Sequence, residues 1–161
     1  MHVLWRLLTD RIVPLDYAEH AAYLRAELDA LQEAAGAKFD LGILIERARE
    51  LEQLAGALNR KIASAKDSEV PRLALALKEV SRALVPVDYT ECDRFGQDPA
   101  LPQGIYPCLQ PVRRFADLAP DSPEALFLDV GMMRARNRVA LALREANAAI
   151  TQCLAELKRA G

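Results

Sequence analysis

Four stretches of this chain repeat apolar residues in steps of three and four, and that spacing commits most of the sequence to helix. The first begins after Asp16, whose carboxylate suits an N-cap, and runs Tyr17, Ala21, Leu24, Leu28, Leu31, Ala35 to a stop at Gly36. The second opens after Asp40 and runs Leu41, Leu44, Ala48, Leu51, Ala55, Leu58, Ile62. The third has Pro71 in its first turn, continues Leu73, Leu77, Val80, Leu84, and is expected to end before Pro86. The last and longest is expected from about Met132 to Leu157, through Val139, Leu143, Ala146, Ile150 and Cys153.

A seam this narrow buries itself by packing near-parallel with similar seams. The expected fold is therefore all-α, an up-and-down-like helical bundle of four main helices. The abundance of Ala and Leu and the few aromatics support it, because Ala and Leu are strong helix formers while β-branched and aromatic residues are not. At 161 residues the chain is long enough to bury one real core. Two shorter apolar segments flank the pattern: Val3 to Val13, ending at Pro14, and Pro123 to Val130, read as a separate short helix before Gly131.

Residues 85–120 break the pattern. Pro86, Pro99, Pro102, Pro107, Pro111 and Pro120 argue against a regular helix. The same stretch holds Tyr89, Phe95, Leu101, Ile105, Tyr106, Leu109, Val112 and Phe115, a content that disordered segments lack. It reads as a long ordered Pro-rich loop pinned to the bundle by apolar anchors, and as the expected functional surface.

Catalytic signatures are scarce. The two histidines, His2 and His20, stand in neither HExxH nor ExxH spacing, and Cys92, Cys108 and Cys153 form no CxxC. The thiols are expected free, with a Cys92–Cys108 bridge open in an oxidising compartment. No GxSxG, GxGxxG or GxxxxGK[ST] occurs. The carboxylate pairs Glu50/Glu52 and Asp29/Glu33 fall on solvated helix faces. A net charge of −2 gives no electrostatic case for nucleic acid, and no apolar run is long enough for direct membrane insertion. Within the loop, Arg113 and Arg114 beside Phe115 offer either a fork for a carboxylate or an internal salt bridge, and Tyr106 is either a core anchor or a site hydroxyl.

The order of the segments resembles the C-terminal helical domain of the glutamate carboxypeptidase and transferrin receptor family. The matching residues are Ile12-Val13-Pro14-Leu15-Asp16 before the first long helix and Phe39-Asp40-Leu41 before the second. They continue with Ile105-Tyr106-Pro107 in the loop, Ala125-Leu126-Phe127 beyond it, and the Ala-rich last helix. The resemblance covers about Val3 to Leu157. It implies a transferrin receptor-like homodimerisation domain over 14–161. Residues 1–13 would be the terminal helix of an upstream protease domain.

It further implies that this chain is not an enzyme by itself and needs no cofactor, since the family's zinc sits in that protease domain. The implied partners are a second copy and the parent's own protease domain, in an extracytoplasmic setting. In the carboxypeptidase members a Lys-Tyr pair in the loop grips a terminal glutamate carboxylate. Allowing one extra residue, that pair falls on Arg114 and Phe115, with Tyr106 and Arg113 nearby as accessory candidates. Phe115 lacks the hydroxyl, so glutamate preference does not carry over with the match. A free-standing helical-bundle adaptor or regulatory protein is the alternative reading.

Overall fold

The structure, a computed structural model, describes residues 5, 8–93, 95–98 and 104–160. His2, Val3, Pro99, Leu101 and Pro102, used in the sequence reading, lie outside the described residues.

The described residues form helices joined by turns and loops, with no strand among them: α1 (Tyr17–Ala35), α2 (Gly42–Ala63), α3 (Val70–Tyr89) and α4 (Pro123–Ala160), plus a 3₁₀ helix at Gln110–Asp117 and two shorter ones. The fold is an all-α helical bundle. Asp16 caps α1, accepting from the backbone N–H groups of Ala18 and Glu19. Gly36 closes α1 at a φ of 57°, where its N–H reaches Gln32 and Glu33 carbonyls. Asp40 accepts from Gly42 N at 2.8 Å, and Gln32 Oε1 accepts from Leu41 N at 2.6 Å, so α2 starts against the end of α1.

Cross-links give the arrangement. Arg25 to Glu52 and Asn59 to Asp16 run α1 and α2 antiparallel. Arg72 to Glu156, with Arg138 to the Glu91 carbonyl just past the end of α3, runs α3 and α4 antiparallel. Arg136 to the Asp40 carbonyl and Asn147 to Glu50 run α2 and α4 parallel. His20 beside Asp88, and Tyr17 beside Ser81, run α1 and α3 parallel. The chain thus alternates direction helix by helix, but the order around the bundle is α1, α2, α4, α3. The short link from α2 to α3 crosses the diagonal, and α4 enters between them after the long connection.

The predicted seams form the core. Leu24, Leu28, Leu31, Leu44, Leu51, Leu58, Leu73, Leu84, Leu143 and Ile150 are all fully buried. Asn147 is the one buried polar residue among those described. It donates to the Arg47 carbonyl at 3.2 Å and to Glu50 at 2.8 Å, pinning α4 against α2.

Three boundaries differ from the sequence reading. Helix α3 passes through Pro86 to Tyr89, where an end before Pro86 was expected. Pro86 costs that turn the hydrogen bond to Arg82, but Val87 is buried beyond it, and Thr90 donates from both its N–H and its hydroxyl to the Pro86 carbonyl. Residues Pro123–Val130 are not a separate short helix. They are the first turns of α4, which runs through Gly131 without a break. Gly131 is exposed, and no neighbour crowds its Cα, so packing imposes no stop there. At the N-terminus, Trp5, Leu8 and Thr9 are helical, but Asp10 to Asp16 are not, so the helix expected over residues 1–13 stops at Thr9.

Candidate interaction surface

The connection from α3 to α4 is built on a period of three. Tyr106, Leu109, Val112 and Phe115 are each three residues apart, and all four are buried. Side chains at i and i+3 eclipse in a 3₁₀ helix, so this spacing sends one row of apolar groups into the core. The expectation of a loop without regular helix is therefore corrected: Gln110–Asp117 is a 3₁₀ helix, entered through Pro111 in its first turn. Lys38 Nζ closes its far end, donating to the carbonyls of Phe115 at 2.7 Å, Ala116 at 3.3 Å and Leu118 at 3.1 Å. Of the other anchors expected in this stretch, Tyr89, Phe95 and Ile105 are exposed rather than buried.

The four residues singled out as a site are separated by this geometry. Phe115 lies in the core, stacked on Phe39 at 5.5 Å and 11°, with the Arg136 guanidinium 5.3 Å from the Phe39 ring. Arg113 turns toward α1, pairing with Glu27 at 2.8 Å and donating to Gln110 at 3.1 Å, which is the internal salt bridge. Arg114 turns the other way and is exposed, lining a groove with Glu124, Phe127 and Arg138. The two arginines form no common fork, and Phe115 presents no edge to a ligand held by Arg114.

Tyr106 is the residue that organises a surface. It is 3 % exposed and adopts a φ of 48°, a left-handed conformation unusual outside glycine, which turns the chain so that its ring enters the α1–α3 seam. There it meets His20 edge-on at 6.4 Å and Tyr23 at 6.4 Å. His20 Nε2 lies 3.3 Å from Asp88 Oδ1, and both atoms are sealed from water without an aligned hydrogen bond. Burial, with Asp88 and Tyr23 next, pushes the Tyr106 phenol well above its ordinary range, so it stays neutral. Around this buried floor, Tyr23, Tyr89 and Ile105 are exposed, with Tyr89 70 % open to solvent. Neither the His20–Asp88 contact nor this patch was read from the sequence. Its parts lie on three separate segments, and only the every-third spacing from Tyr106 hinted that Tyr106 points inward.

Among the described residues no group of three or more His, Cys, Asp or Glu is placed to hold a metal ion, and no helix is long and apolar enough to cross a membrane. The three cysteines are free thiols. Cys108 and Cys153 are buried, while Cys92 is half-buried and shares a groove of about 740 Å³ with Cys108. No family model, curated protein or solved structure matches the chain.

Proposed function

We propose that this chain is a non-catalytic association domain, the homodimerisation domain of a glutamate carboxypeptidase-like zinc metallopeptidase. The patch of Tyr23, Tyr89 and Ile105 over Tyr106 is its contact surface. One observation carries the reading: two tyrosines and an isoleucine stand exposed around the buried Tyr106 ring. Tyrosine suits an interface because its ring buries much area at low entropic cost while its hydroxyl stays satisfied at the rim. In this proposal zinc and the catalytic groups belong to the parent's protease domain, which is the second partner, in an extracytoplasmic setting. Arg114 remains the residue of the 104–116 segment free to meet a substrate carboxylate in the full protein. Arg113, Tyr106 and Phe115 serve by holding that segment in place.

The alternative, a free-standing helical-bundle adaptor or regulator, draws support from the closure of the core on its own helices. In both readings the chain works by binding protein. The double substitution Y89S/I105S is expected to raise the dimer dissociation constant at least tenfold by sedimentation, with the helical circular dichroism signal unchanged. Unchanged self-association in a folded double variant would sink the assignment of this patch.

A further inference from the structure

On the face of the bundle opposite the tyrosine patch, α4 carries a second apolar row that nothing covers. Leu126, Val130, Met133 and Leu141 are exposed at helical spacing, with exposed Asn137 in the step between the last two, turned away from the buried row of Met132, Ala135, Val139 and Leu143. From Leu126 to Leu141 the row extends about 22 Å, the length of roughly four turns. Ile43 of α2, also exposed, joins it across a shallow groove that Arg47, Arg136 and Arg144 border.

The charge of this face differs from that of the chain. The whole protein carries a net −2, yet along the row residues 126–144 hold four arginines, Arg134, Arg136, Arg138 and Arg144, against one carboxylate, Asp129. Among the described residues none of these, nor Arg47, makes an ion pair. Arg47, Arg136 and Arg138 donate instead to the backbone carbonyls of Ala140, Asp40 and Glu91. On the α2 side, Glu50 is engaged by Asn147, which leaves Glu46 as the acid nearest Ile43 on that helix.

We infer that this α2–α4 face binds an acidic amphipathic helix from another protein, its apolar residues laid along Leu126–Leu141 and its carboxylates against Arg134, Arg144 and Arg47. Length and charge select this occupant. A four-turn helix matches the row, and carboxylates at its flanks meet arginines that have no acid of their own. A second copy paired through the same face would set its arginines against Arg134, Arg144 and Arg47, a like-charge contact that opposes association. A lipid surface is flat, whereas this row lies beside a groove with walls on two helices. The inference stands independently of the dimerisation reading, which concerns the opposite face.

The test uses the whole chain and three fluorescent 18-residue peptides. The first has Leu at i, i+4, i+7 and i+11 with Glu at the flanks. The second replaces Glu by Lys, and the third scrambles the first so that no apolar face forms. Anisotropy is expected to show micromolar binding of the first peptide alone. Binding should weaken at least tenfold in R134E/R144E and in V130S/L141S, both checked for unchanged helicity. All four positions are exposed, so folding should survive. No binding of the acidic peptide, equal binding of the scrambled one, or indifference to R134E/R144E would overturn the proposal. So would capture of the chain by phosphatidylserine vesicles in place of the peptide. Self-association of the unmodified chain, followed in the same samples, reports separately on the tyrosine patch.

Discussion

Individual side chains divide between those that hold the bundle and those left for contact, and the division is not the one residue type suggests. Phe115 has the position of a ligand-gripping residue in the family resemblance, but it is a core group stacked on Phe39. F115A is accordingly expected to cost about 3–5 kcal/mol, read as a fall in the urea midpoint, because it removes a buried ring and leaves a cavity. A residue that served only substrate would leave that midpoint unmoved. Asp16 acts oppositely, at the surface and through charge. The Glu19 N–H, the Asn59 amide and the Ala18 N–H hold its carboxyl below the usual carboxylate range. A lowered folded-state pKa means that its stabilisation is present above its ordinary value of 3.8 and is lost as pH falls through the folded value. D16A is expected to cost about 1 kcal/mol at neutral pH. D16N keeps the capping oxygen, so in urea titrations it should retain most of the stability and lose this acid-side dependence.

At the scale of elements, the helices were legible where local chemistry and burial agree. Asp16 and Gly36 bound α1 as their types require, and the seam of α2 is buried from Leu44 to Leu58, with Ile62 partly buried at its end. Disagreements arose where packing overrode a local breaker. Pro86 sits inside α3 because Val87 has a place in the core. Gly131 sits inside α4 because the helix on both sides is held, by the 3₁₀ segment and by the bundle. The 3₁₀ helix escaped notice because reading for steps of three and four treats an exact three as noise, and its prolines read as breakers. The contact surface was illegible for a different reason. Residue numbers 20, 23, 88, 89 and 105 come together only once α1 and α3 lie parallel, and no local pattern encodes that. Since no neighbour limits a Cβ at Gly131, G131A is expected to stabilise by about 0.5–1 kcal/mol in thermal or urea unfolding. Destabilisation would mean that α4 needs a flexible point there.

Viewed whole, the molecule presents two different faces on one rigid core. The α1–α3 side offers tyrosines over the Tyr106 floor, and the α2–α4 side offers an apolar row edged by arginines. Crossing the diagonal between α2 and α3 makes this possible: it sets α1 beside α3 and α2 beside α4, so that each face is shared by two parallel helices. A stable specific dimer needs roughly 1,000 Å² or more of total buried area, which the tyrosine patch and its rim must supply. Sedimentation equilibrium of the unmodified chain over a hundredfold concentration range measures this most directly. A dimer that persists at low micromolar concentration is expected. A monomer at every concentration would contradict homodimerisation through the tyrosine patch.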